Sequence, residues 1–303
     1  MQRNWEPEIV VDESLARRLI REQFPHVPVA QIELLGEGWD NTCYRVDSEF
    51  TFRFPRRAVA VELLQHEAHA LPLLAEALPL RIPKLLFLGR PSDEFDWPFA
   101  GYEFLPDQPA DRLALSEEDR AANATDLGLF LAALHGQDVS RFPKLPRDTI
   151  GRMSLEKWLP RLDEFFTRFQ SENLELPYFE LRAFVSQLGR IRPEPSAPHV
   201  VHGDFYVRHL LVNDFGRLQG VIDWGDVHLN DPAQDLAIMF TFLPPKSRET
   251  FLRAYGSLVT DTQFLLARMR ALILGCNLLA YARDTKDERL VEESLFILRN
   301  SGL

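Results

Sequence analysis

Residues 13–24 carry Leu15, Leu19 and Ile20 on one side of a helical period, among Arg, Glu and Gln, and Pro25 ends the run. That pattern predicts an amphipathic helix. Short apolar runs follow at 31–35, 42–46 and 50–54, with Gly36 and Gly38 between the first two and Asp47 and Ser48 between the second and third. They predict a three-stranded meander with a glycine turn. Residues 59–78 read as a helix that Pro72 is placed to interrupt, and 84–88 and 99–104 as strands. The second of these runs into LPDQPAD, whose prolines and aspartates mark a connector.

Beyond the connector the texture turns helical. Ser116 and Asp119 have the spacing of a capping box, and Leu127, Phe130, Leu131 and Leu134 form a stripe that stops at Gly136. Helices are predicted at 154–170 and 177–191, short strands at 200–201, 210–212 and 218–222, and helices again from about 232 onward. Asp231 and Pro232 read as cap and first residue of the helix that resumes there. No internal repeat or low-complexity tract is visible. The result is an α+β chain: a small β-rich N-terminal part, a linker, and a larger helical part with a β-hairpin inserted.

At 303 residues the chain suits one large domain or two. A net charge of −11 argues against a general nucleic-acid footprint, which needs clustered excess Lys and Arg, and leans toward a cationic small-molecule partner. Cys43 and Cys276 have neither a disulfide nor a zinc spacing. The opening MQRNWEPEIVVDES lacks the apolar core of a leader, and the longest apolar stretches, 236–243 and 271–282, fall short of the ~20 residues of a bilayer span. A cytoplasmic monomer without membrane contact is the expectation.

The densest chemistry lies in VVHGDFYVRHLLVNDFGRLQGVIDWGD, residues 200–226. Asp204 follows Gly203 where a strand gives way to a loop. A carboxylate held there can accept a proton from an attacking hydroxyl, or simply cap a turn. Asp223, 19 residues on, ends the apolar run LQGVID. A carboxylate at a strand end, brought near the first loop, suits Mg²⁺, which takes one or two carboxylates plus nucleotide phosphates. His209 stands between them as a less usual partner for such an ion.

Upstream, LGEGWDN (35–41) can lay backbone N–H groups over phosphates, although a GxG in a hairpin is also an ordinary turn. Arg53 is a cation inside an apolar strand, and Glu67 lies 14 residues on in the next helix. A strand cation paired with a helix carboxylate is how kinases hold nucleotide phosphates. Only seven residues separate Asp223 from Asp231, which leaves no room for the long segment that docks a polypeptide, so a small acceptor is expected.

The order of these parts resembles the aminoglycoside phosphotransferase family of small-molecule kinases over about residues 30–285, most specifically in HGDFYVRHLLVN and GVIDWGDVHLNDPAQDLA within 202–237. The resemblance implies a protein-kinase-like fold of two lobes, a nucleotide-binding lobe over 1–105 and a catalytic and acceptor-binding lobe over 106–303. It implies transfer of the γ-phosphoryl group of ATP or GTP to a hydroxyl of an antibiotic or related compound. Asp204 matches the family's catalytic aspartate, and Asp223 and His209 the Mg²⁺ positions. Gly36, Gly38, Asn41, Arg53 and Glu67 would serve the nucleotide phosphates, and Glu103 and Leu105 in the 102–107 linker would meet the base through their backbones. Asp226, Asp235 and Tyr281 are the candidate acceptor contacts. Two positions depart from the family: His209 stands where Asn is usual, as in macrolide-phosphorylating relatives, and Arg53 where Lys is usual. Both departures keep open an inactive, ligand-binding form of the same fold.

Overall fold

The computed structural model describes residues 6–193 and 196–302, so the first five residues of the chain lie outside the described ones. The chain divides into two compact units. The first takes in the chain up to Ala77, Arg81–Pro106 and Asp223–Val227; the second takes in Leu78–Leu80, Asp107–Ile222 and the chain from His228 onward.

The first unit begins with helix α1 (Glu13–Gln23), capped by Asp12, whose carboxylate accepts the Leu15 amide. An antiparallel sheet follows, in the order β1 (Ile32–Glu37), β2 (Asn41–Val46), β3 (Phe50–Pro55), β5 (Phe99–Glu103), β4 (Leu85–Gly89). Helix α2 (Ala58–Leu74) connects β3 to β4 and runs through Pro72 in its last turn, so the expected interruption is absent. Pro72 has no N–H to give the Ala68 carbonyl, so one helical bond is missing there while the helix runs two residues further. Alternate residues of β2 and β3 put Tyr44, Val46, Phe52 and Phe54 inward against Leu19 and Ile20 of α1. Gly101 on β5 is needed for this packing, because a Cβ there would lie 2.6 Å from the Phe52 ring.

In the second unit, β6 (Gln108–Pro109) pairs with β8 (Leu210–Val212), and β8 pairs in turn with β9 (Leu218–Val221). β7 (His199–Val201) pairs with β10 (His228–Asn230). The helices are α3 (Glu117–Ala121), α4 (Ala124–His135), α5 (Leu155–Ser171), α6 (Tyr178–Leu188), α7 (Ala233–Leu236), α8 (Ile238–Thr241), α9 (Arg248–Tyr255), α10 (Asp261–Thr285) and α11 (Glu288–Gly302). The Ser116–Asp119 capping box opens α3 as expected, and the predicted stripe of α4 is wholly buried. α10 is long and apolar enough to match a bilayer span, which the apolar runs of the sequence did not suggest. Its apolar side, from Leu266 to Ala282, is buried in the core of this unit.

Candidate functional site

In the first unit Arg53 lies on a central strand, opposite Cys43 on β2 and Ala100 on β5. One guanidinium nitrogen donates to both Glu67 oxygens, at 2.9 and 3.1 Å, and the other to Asp223 Oδ1 at 2.9 Å. Glu67, 1% exposed on α2, also accepts the Tyr102 hydroxyl at 3.0 Å. Burial raises the Glu67 carboxyl above its ordinary range, and Arg53 opposes that rise. Burial also disfavours charge on Arg53, but Glu67 and Asp223 more than compensate and hold it well above its ordinary value. The guanidinium is therefore a permanent cation shared by two carboxylates.

Asp223 itself is left-handed, with φ 64° and ψ 68°. That conformation is uncommon outside glycine and is tolerated best by Asn and Asp. It turns the chain into a single 3₁₀ turn, Trp224–Asp226, whose indole is fully buried and anchors the segment. Asp226 thus belongs to the first unit rather than to the helical part where it was sought as an acceptor contact. Burial raises the Asp40 carboxyl; Arg57 lowers it, and the charges of Asp226 and Asp223 raise it further.

The glycine turn is tighter than the sequence implied. Gly36 and Glu37 continue β1 past an irregularity between Leu34 and Gly36, and Asn41 already begins β2 opposite Pro55. The Gly38 amide donates to the Asn41 carbonyl at 2.9 Å, so it closes the hairpin and is not directed at a ligand. Beside Gly36 there is open space, with nothing within 4 Å of where a Cβ would stand. In the linker, the Glu103 amide donates to the Lys84 carbonyl and the Phe104 amide to the Glu49 carbonyl. Pro106 has no N–H, which leaves Leu105 as the donor of residues 103–106.

In the second unit the HGD loop leaves β7 and enters a 3₁₀ turn, Val207–His209. Gly203 adopts φ 90°, which a side chain would strain. Its amide and that of His202 donate to Asp235, at 3.0 and 2.7 Å, while its carbonyl accepts from Gln234 at 2.6 Å. Asp235 also meets His135 Nε2 at 3.2 Å, and His135 Nδ1 lies 3.0 Å from the Tyr255 hydroxyl. Burial works to raise the Asp235 carboxyl, but the bond and charge of His135, with the loop amides, bring it below the ordinary range. Asp235 is fully buried and committed to this clamp, so it does not line an acceptor site as expected. Asp231 accepts the Ala233 amide at 2.8 Å, where α7 begins.

Asp204 stands at the end of this pinned loop, its amide 3.3 Å from His202 Nδ1. Oδ1 lies 3.9 Å from Arg270 of α10 and Oδ2 3.6 Å from His209 Nδ1. His209 Nδ1 donates to the Asp204 carbonyl at 2.8 Å, which puts the ring's lone pair on Nε2, the arrangement a metal-binding imidazole uses. Tyr281 is half-buried on α10, within electrostatic range of Arg208. Sequence reading missed Arg270, His135 and Gln234, and gave Tyr102 only as the start of the linker. Of these only His135, ending a buried stripe just before Gly136, carried a local signal.

Among the described residues no group of three or more His, Cys, Asp or Glu side chains encloses a metal site. Asp223 offers a hard oxygen donor on a half-exposed side chain. That donor set fits Mg²⁺ held largely by phosphate and water, and not an all-protein cage.

The profile of the phosphotransferase enzyme family matches residues 31–272, and the chain belongs to that family. It is, by family, a phosphotransferase. Among solved structures it is similar to the GDP and kanamycin complex of an APH(2")-III enzyme, with a TM-score of 0.68, 22% identity, and 94% of this chain and 97% of that one covered. It is also similar to the apoenzyme of the macrolide 2'-phosphotransferase MphH from Brachybacterium faecium, with a TM-score of 0.59, 22% identity, and 93% and 97% covered. A streptomycin–ATP ternary complex of APH(2")-IIa gives a TM-score of 0.59 at 17% identity, with 95% and 99% covered. These likenesses establish the protein-kinase-like fold, with its small antiparallel sheet and larger helical part. An uncharacterized protein of Bacillus subtilis (strain 168), YcbJ, is 31% identical over 61 residues, and the match spans 20% of each chain.

Proposed function

We propose that the protein transfers the γ-phosphoryl group of ATP or GTP to a hydroxyl of a small molecule. The observation that carries the proposal is the Arg53 bridge: one buried cation, supported by Glu67 and Tyr102, reaches the carboxylate of Asp223. Arg53 then turns its charge to the nucleotide phosphates, and Asp223 gives an oxygen to Mg²⁺. The ion, when bound, neutralises the charge that builds on the phosphates during transfer.

In the second unit Asp204 accepts the proton of the attacking hydroxyl. The hydroxyl oxygen bonds to the γ-phosphorus as the bond to the β–γ bridging oxygen breaks, and the nucleoside diphosphate leaves. The clamp on His202 and Gly203 presets the backbone from which Asp204 works, so little reorganisation is left for the reacting state. Leu105 gives the linker its amide for the base, and the Glu103 carbonyl is the neighbouring acceptor.

An antibiotic-type acceptor is supported by the relatives, one crystallised with kanamycin, one with streptomycin, and one a macrolide 2'-phosphotransferase. The whole-chain charge of −11 leans toward a cation, although it averages over every surface of the protein. The test is release of ADP or GDP by the full chain against a panel of hydroxyl compounds, with Asp204→Ala alongside. Turnover that falls by two or more orders of magnitude in the variant, with nucleotide binding retained, supports the reading; unchanged turnover removes it. The inactive alternative predicts silence until His209→Asn or Arg53→Lys is made.

A further inference from the structure

The second unit holds an open groove of about 360 Å³ between α5 and α10, lined by Trp158, Arg161, Glu164, Phe165, Arg168 and Asn277. The volume is within the usual range of small-molecule sites. Its α5 residues 158, 161, 165 and 168 are three or four apart, so they share one side of the helix, while Leu162, Phe166 and Phe169 on the adjoining side are buried. On α10, Arg270, Leu274, Asn277 and Tyr281 recur at the same spacing, and residues 271–273, 275, 276, 278 and 279 between them are buried.

Helical rise sets Asn277 about 10 Å along α10 from Arg270, and Tyr281 about 6 Å further. Arg270 flanks Asp204, and Tyr281 is in electrostatic range of Arg208, which belongs to the same turn as His209. One stripe of α10, partly buried at Arg270, Leu274 and Tyr281 and exposed at Asn277, therefore runs from the flank of Asp204 to the groove.

The chemistry of the lining is not that of a polycation site. Glu164 is its one lining carboxylate against two guanidinium groups, and Arg168 Nε already donates to Glu172 at 2.9 Å, which leaves its outer nitrogens for a ligand. The Trp158 ring already has Lys157 Nζ at 4.7 Å and Arg161 Cζ at 5.3 Å from its centroid. An aromatic face taken up by two cations repels a third, whereas an empty one attracts it. Guanidinium forks instead recognise carboxylate, sulfonate or phosphate, and Phe165 supplies an apolar face for a ring.

We propose that this groove receives the acceptor, and that the acceptor carries a flat or apolar ring for Phe165 and an anionic group for Arg161 and Arg168. The proposal rests on the phosphotransferase reading, since it takes the groove as the acceptor side of Asp204.

Two probes of equal ring and opposite charge test it: naphthalene-2-sulfonate and 2-naphthylmethylammonium, titrated calorimetrically into the full chain at low salt. The sulfonate is expected to bind at least ten times more tightly. Arg161→Glu with Arg168→Glu, both exposed positions on α5, should abolish that preference, and Arg161→Gln should weaken it without adding charge. Equal or tighter binding of the ammonium, no binding of either probe at millimolar concentration, or a sulfonate affinity untouched by the double variant overturns the proposal. The two readings fail separately. A chain that binds sulfonate but transfers from neither nucleotide removes the phosphotransferase reading alone. A chain that phosphorylates kanamycin with a KM unmoved by Arg161→Glu removes the groove alone.

Discussion

Arg53 donates to Asp223 Oδ1 at 2.9 Å across 170 residues of sequence, and the same guanidinium holds the buried Glu67. Removing it strands a carboxylate that is 1% exposed. Breaking a buried ion pair from one side costs about 3–5 kcal/mol, so Arg53→Ala should lower the urea midpoint and raise the nucleotide KM together. Arg53→Lys keeps a charge for Glu67 but lacks the fork that reaches two acids at once. It should retain most of the stability while losing affinity for nucleotide. Thermal melts with and without Mg²⁺-nucleotide separate the two effects, and a Lys variant as unstable as the Ala variant would contradict the shared-cation account.

Asp235 makes a pH-dependent contribution to stability. Its carboxyl is held below the ordinary range because the His135 bond and the loop amides outweigh the opposing effect of burial. A folded-state value below the unfolded one stabilises fully above the ordinary carboxylate value, about 4, and the contribution is lost as pH falls through the folded value. Asp235→Asn should therefore cost about 3 kcal/mol near neutrality, in line with hydrogen bonds to a charged acceptor. The gap to the wild type should narrow below pH ~4. Denaturant midpoints at several pH values measure it, and a gap that stays constant from neutral to acid would exclude the carboxylate as its source.

Charged residues in an unusual local pattern were legible in the sequence, and residues placed by burial or distant contact were not. Arg53 stands out only in combination, since a strand arginine alone more often marks an edge strand, and Glu67 because it lies in the next helix. Asp235 was visible as an acid but not as a buried one; nothing local shows that the amides of His202 and Gly203, more than 30 residues earlier, converge on it. Arg270 reads as one of several charges along α10, and its relation to Asp204 exists only after folding. Gly36 looked like part of a turn because the irregularity that carries β1 onward leaves no mark in composition. β10, three residues long, is too short for any periodicity. The net charge averages over surfaces, and the groove between α5 and α10 departs from that average.

His209 ties its ring to the loop it serves, with Nδ1 donating to the Asp204 carbonyl at 2.8 Å. His209→Ala removes this donor and the Nε2 lone pair at once. Turnover should fall at least tenfold, and the Mg²⁺ concentration for half-maximal rate should rise. His209→Asn supplies an amide donor and a hard oxygen, and should recover turnover to within about threefold of wild type. Rates across a Mg²⁺ titration decide it: an Ala variant with an unchanged Mg²⁺ requirement would confine His209 to holding the loop.

Arg270 sits 3.9 Å from Asp204 Oδ1, with side-chain exposures of 13% and 29% for the two residues. At that distance a unit-charge pair near a protein surface interacts by about 4 kcal/mol at most, and partial exposure reduces the net effect to about 1 kcal/mol, roughly fivefold in rate. The direction follows from geometry. A cation at one oxygen favours the charged carboxylate and restrains its rotation, leaving the other oxygen, near His209, to a defined position. Arg270→Gln should therefore lower kcat about fivefold, with little change in the nucleotide KM, since the contact concerns the aspartate proposed to accept the proton. Arg270→Lys should restore most of the loss. A merely structural arginine would behave differently: melting temperature and kcat would fall together, and Lys, lacking the planar fork, would rescue neither. Steady-state kinetics in both substrates for the three proteins, read beside their melting curves, distinguish a residue that positions the base from one that only packs α10.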